Sequence, residues 1–104
     1  MRIGQLAEAA GVTTGTIRLY ERQGLISLPL RRESGYREYS ANAVNEIRTI
    51  LQLKELGFTA PEIHALSGHK GDLREQSRLV GEKVRRLEEV IHIFIGLLDD
   101  SHHA

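Results

Sequence analysis

The sequence predicts a mostly α-helical protein: a winged helix-turn-helix over residues 1–71, a candidate DNA-binding unit, then a long coiled-coil dimerisation helix over 72–99 and a flexible tail at 100–104. Three observations carry this expectation. Two short apolar-periodic segments meet at Gly11, and the second opens on Thr13, Thr14 and Thr16. A turn-rich stretch with a basic, aromatic tip follows directly. Finally, Leu73, Ser77, Val80, Val84, Leu87, Ile91, Phe94 and Leu98 recur at alternating spacings of four and three, a heptad seam with one polar member.

The first helix should run Ile3–Ala10, with Ile3, Leu6, Ala7 and Ala10 inward. Gly11 suits a sharp turn because a residue without Cβ takes positive φ cheaply. Val12 can fill the gap between the helices, and Ala7 is small where they cross. Thr13 suits an N-cap, its hydroxyl accepting a backbone N–H of the next turn. The second helix turns Ile17 and Tyr20 inward and ends at Gly24. With Thr13, Thr14 and Thr16 at its start, and with Arg18 and Arg22, it carries the donors that a DNA major groove can accept.

Pro29 and Glu33-Ser34-Gly35 then read as turn chemistry between two short extended segments, a wing with Arg31, Arg32, Tyr36 and Arg37 near its tip. Arginine forks onto phosphate oxygens, and tyrosine offers a hydroxyl and a flat face. Ser40 should cap a helix over 41–56 with Val44, Ile47, Ile50 and Leu51 as its apolar stripe; its Lys54 and Arg48 can reach DNA or simply keep the helix soluble, the latter fitting Arg48 better. Thr59-Ala60-Pro61-Glu62 is a capping box with proline in the first turn, opening a helix that carries Ile63 and Leu66. Asp72 and Glu75 form a second box, starting a helix about 40 Å long at 1.5 Å per residue. That is more than so small a domain covers easily, so Val80, Val84, Leu87, Ile91, Phe94 and Leu98 are expected to pair two copies. Ile93, Ile95 and Leu97 lie off the seam and suggest a second buried surface.

A chain of 104 residues with 27% charged residues fits one modest domain. No apolar run approaches the roughly 20 residues of a membrane span, and there is no apolar leader, so a cytoplasmic protein without membrane contact is expected. The absence of cysteine excludes disulfides, thiolate metal sites and cysteine nucleophiles in these residues. The net charge of zero argues against DNA until it is divided: residues 1–54 hold eight Lys/Arg against five Asp/Glu, and residues 55–104 hold six against nine. The basic excess lies with the helix-turn-helix. No Ser/His/Asp set, phosphate loop or paired carboxylates on one element suggests an enzyme. His64, His69, His92, His102 and His103 fit no compact ligand spacing, so no cofactor and no histidine-built metal site are expected.

In sum, Ile3-Gly4-Gln5-Leu6-Ala7, Gly11-Val12, Ile17-Arg18-Leu19-Tyr20-Glu21, Gly24-Leu25, Gly35-Tyr36-Arg37 with Tyr39-Ser40, and Leu56-Gly57-Phe58 with Glu62-Ile63 resemble the MerR family of transcription regulators up to about Leu66. The resemblance implies a homodimer whose long helices pair antiparallel. It would bind a pseudo-palindromic promoter site and kink and undertwist the spacer, acting on RNA polymerase indirectly. It places Thr13, Thr14, Thr16 and Arg18 in the major groove and Tyr20 on the nearby backbone. Arg31, Arg32, Tyr36 and Arg37 would hold phosphates from the wing, with Lys54 acting from the second helical pair. Leu19 departs from a common aromatic and Gly15 from a longer side chain, which bears on the sequence recognised. Members usually continue into an effector segment; neither a thiol-based metal switch nor a large drug-binding domain is expected within these residues. The alternative expectation is an architectural, excisionase-like DNA-bending protein without an effector response.

Overall fold

The computed structural model describes residues 1–27, 29–31 and 35–102, the side chains of residues 30, 31 and 100–102 excepted. Its elements are α1 (Ile3–Ala10), α2 (Thr14–Arg22), β1 (Leu30–Arg31), β2 (Arg37–Glu38), α3 (Asn42–Glu55), α4 (Ala60–Gly68) and α5 (Leu73–His102). Contacts divide the chain into Met1–Ser67 and Gly68–Ala104.

In the first unit, α1 begins where the Gln5 side chain accepts the Arg2 N–H at 2.9 Å. It ends at Gly11 with φ 72°. Gly11 N–H donates to Glu8 O at 3.3 Å and Val12 N–H to Ala7 O at 3.0 Å, the paired bonds of a Schellman closure. The turn returns Val12 to the core. α2 closes in the same way: Gly24 (φ 69°) donates to Glu21 O at 3.0 Å and Leu25 to Tyr20 O at 2.9 Å, and Leu25 is buried. α3 repeats it at Gly57, returning Phe58.

Gly24 is the most constrained of these turns. A Cβ there would stand 3.0 Å from His64 Cδ2 on α4, on a backbone already left-handed. Gly24→Ala is therefore expected to destabilise the protein by about 1–2 kcal/mol from the left-handed backbone alone. A denaturant midpoint checks this, and Gly11→Ala, where the added Cβ meets nothing within 4 Å, isolates the backbone part.

The wing is a two-stranded antiparallel ribbon, with Leu30 opposite Glu38 and Arg31 opposite Arg37. It is anchored beyond β2, where Tyr39 N–H donates to Met1 O at 2.7 Å and the Met1 ammonium reaches Tyr39 O at 2.8 Å and Glu38 at 3.1 Å. The expected Ser40 side-chain cap on α3 is not the device used. Ala41 is already helical with no side-chain cap, and the first turn is closed by backbone bonds, Ala43 N–H to Ser40 O and Val44 N–H to Ala41 O. Helix α4 has the expected box: Thr59 N–H donates to Glu62 at 2.9 Å and Glu62 N–H to the Thr59 hydroxyl at 3.4 Å.

Leu6 and Ala7 of α1, Ile17 and Tyr20 of α2, Leu25, Ile26, Tyr39, Ala43, Ile47 and Ile50 of α3, and Ile63 of α4 form one core. Leu6, Ile17, Ile47 and Ile63 are its largest fully enclosed side chains, each contributing about 1.5–3 kcal/mol by leaving water.

The second unit is dominated by α5. Asp72 Oδ1 accepts Glu75 N–H at 3.2 Å at its start. Arg78 grips Glu75 one turn back and Glu82 one turn on, and its hydrogen bonds hold the Glu75 carboxyl below the usual carboxylate range. Residues 100–102, expected in the tail, continue the helix. Val80, Val84, Leu87, Ile91, Phe94 and Leu98 are all exposed on this chain, from 39% at Val80 to 63% at Phe94. Among the described residues no helix is long and apolar enough to cross a membrane.

Candidate nucleic-acid interface

Helix α2 sorts its side chains sharply. Ile17 and Tyr20 point into the core, while Gly15, Arg18, Leu19 and Arg22 form one exposed stripe at helical spacing. Thr13 acts as the expected N-cap: its hydroxyl accepts Thr16 N–H at 3.1 Å and lies 3.0 Å from the Thr16 hydroxyl. Thr14 and Thr16 are half-buried.

Arg18 and Arg22 share an open cleft with Arg2 at the start of α1 and with Tyr36 and Arg37 of the wing. Four guanidinium groups and two carboxylates, Glu8 and Glu21, line it, so the cleft is net positive. Arg2 stacks over the Tyr36 ring, 4.2 Å from its centroid, and Tyr36 is otherwise exposed. Arg37 Nη1 donates to Glu21 at 2.5 Å, and the Tyr39 hydroxyl donates to the other Glu21 oxygen. The Tyr39 hydroxyl and the Glu21 carboxylate favour the charged form of Arg37, while burial and then the Glu21 hydrogen bond push the Tyr39 phenol up.

The cleft thus brings together Arg18, Tyr36 and Arg37 from the sequence expectation. Arg31 lies on β1, and Arg32 falls outside the described residues. Tyr20 is 4% exposed and burial pushes its phenol up, so its ring forms part of the core beneath α2. Its ring also carries Lys54, whose Nζ sits 5.3 Å from the centroid. Sequence reading did not select Arg2 or the pairing role of Glu21. Their partners lie 34, 16 and 18 residues away, and no local pattern marks them.

Among the described residues no three His, Cys, Asp or Glu groups converge on a metal-sized site. Residues 1–69 match the MerR HTH family of regulatory proteins. The mercuric resistance operon regulatory protein of Bacillus cereus is 52% identical over 67 residues, covering 64% of this chain and 51% of that protein. The HTH-type transcriptional regulator CueR of Salmonella typhi is 39% identical over 93 residues, covering 89% and 66%. The chain thus spans between half and two thirds of these relatives' length. In structure it is similar to the transcription regulator PbrR691 of Ralstonia metallidurans, solved in complex with lead(II). The TM-score is 0.82 at 26% identity, over 96% of this chain and 81% of that one. With two thirds of its length matched and the helix-turn-helix, wing and long helix in place, the chain belongs to the MerR family of helix-turn-helix regulatory proteins.

Proposed function

We propose that the protein is a sequence-specific DNA-binding transcription regulator that acts in the cytoplasm as a homodimer and distorts the promoter spacer it occupies. The observation that carries this reading is the cleft where Arg18 and Arg22 of α2 meet Tyr36 and Arg37 of the wing. Residues 1–71 serve as the DNA-binding domain and residues 72–99 as the dimerisation helix. In this reading α2 enters the major groove, with Arg18 at base edges and Thr13, Thr14 and Thr16 at its leading end. The wing, through Arg31, Arg32, Tyr36 and Arg37, holds phosphates alongside, and Lys54 adds charge from α3. Phosphate contacts set register, base contacts set sequence, and the deformability of the spacer adds discrimination at positions never touched.

Dimerisation is supported by α5. Six seam side chains are open to water on a single chain, on a helix about 45 Å long at 1.5 Å per residue. Pairing two such helices places two DNA-binding units for inverted half-sites. The role is binding rather than catalysis, in keeping with relatives named as regulators. The lead(II) belongs to PbrR691. The sequence has no thiolate, among the described residues no ligands group to hold such an ion, and no step is assigned to a metal.

The test is selection of genomic fragments by the purified protein. The reading requires enrichment of two inverted half-sites between promoter elements. Fragments retained without any common sequence would contradict it.

A further inference from the structure

The Glu21 side chain is 7% exposed, yet it lines the same basic cleft as Arg18 and Arg22 of α2. Its two oxygens are divided between two wing residues: one takes Arg37 Nη1 and the other the Tyr39 hydroxyl. Arg37 keeps 41% of its side chain exposed, on the cleft wall with Arg18 and Tyr36, while the Tyr39 ring is 2% exposed. The carboxylate therefore bridges the core-anchored end of the wing, its DNA-facing guanidinium and the recognition helix. A negative charge within a phosphate-binding cleft opposes non-specific attraction to DNA, so mere electrostatic binding gives no reason for it.

We propose that Glu21 is a positioning residue for DNA recognition: by holding Arg37 and Tyr39 it sets the angle between wing and α2 at which both engage one half-site. This rests on the DNA-binding reading above and adds a specificity determinant to it. An acid is suited to the task. A carboxylate accepts from two donors at once and its charge strengthens both bonds, whereas a carboxamide is neutral, offers one acceptor oxygen and meets the Tyr39 hydroxyl with an NH₂ only when that hydroxyl turns to accept. Glu21→Gln thus keeps the size of the side chain and removes the charge that holds the Arg37 arm of the clamp. Tyr39→Phe loses the other arm and leaves every charge in place.

The experiment uses the full chain and two labelled duplexes: one recovered by selection with the wild-type protein, and a scrambled duplex of equal length and composition. Hydroxyl-radical footprints are recorded on the first. For Glu21→Gln the ratio of selected to scrambled affinity should fall about tenfold or more, the scale of a lost specific contact. Scrambled affinity should be unchanged or higher. Protection of the phosphates flanking each half-site should disappear while protection under α2 persists. Tyr39→Phe should move the ratio and the flanking protection in the same direction, by less. Equal loss on both duplexes, an unchanged ratio, or intact flanking protection would overturn the proposal. So would loss of the ratio in Glu21→Gln with none in Tyr39→Phe. A wild-type protein that prefers neither duplex would defeat the DNA-binding reading itself, and this role of Glu21 with it.

Discussion

Ile91→Glu is expected to turn the protein into a monomer at concentrations where the wild type is a dimer, and to abolish high-affinity operator binding. Ile91 is 60% exposed on the single chain and lies midway along the seam between Leu87 and Phe94. Burying such a side chain contributes about 1.5–3 kcal/mol, and a two-fold interface carries the residue twice. Losing about 3–6 kcal/mol raises the dimer dissociation constant by roughly 10²–10⁴-fold, before the added penalty of enclosing a carboxylate. Operator binding then loses the effective-concentration gain of linking two half-site contacts, itself about 10²–10⁴-fold. Sedimentation equilibrium and a DNA titration check the two parts. Because the residue stands in the unit Gly68–Ala104, the thermal transition of the unit Met1–Ser67 should be preserved.

The second large effect is a contrast between neighbours. Ile17 is 0% exposed and Arg18 exposed, one residue apart on α2. Ile17→Ala leaves a cavity at the centre of the core and should destabilise by about 2–5 kcal/mol, a large part of the total stability of a small domain. DNA affinity should then follow the folded fraction. Arg18→Ala should leave the unfolding midpoint within about 0.5 kcal/mol of wild type, as surface changes do. It should weaken specific binding by about 1–3 kcal/mol, with discrimination lost at the bases it faces. Equal effects of the two variants on stability would show that the faces of α2 are assigned wrongly.

What was legible in the sequence was local. The bounds of α1, the Gly11 and Gly24 closures, the Thr13 cap and the Thr59–Glu62 box each depend on residues within one or two turns of one another, and the structure forms them as expected. The long helix was legible because a period survives in one dimension, and the structure forms it as one continuous element. The Ser40 cap failed because Ala41 is already helical and backbone bonds close the turn. Tyr20 carried two readings, core and DNA contact, and periodicity alone could not choose; burial favours the core. The ties within the cleft were illegible. Glu21 reads locally as an ordinary acidic residue, and its partners arrive only when the wing folds back. The same holds for Arg2, whose cation–π partner is 34 residues away.

The most direct test of the central claim, that two copies present the α2 and wing surface to one DNA site, is a hydroxyl-radical footprint of the wild-type protein on a selected fragment. The expected result is two protected segments related by inversion on one face of the duplex, each with flanking phosphates covered, titrating together with two chains per site. A single protected segment bound by one chain, or featureless protection spreading along the fragment, would contradict the account.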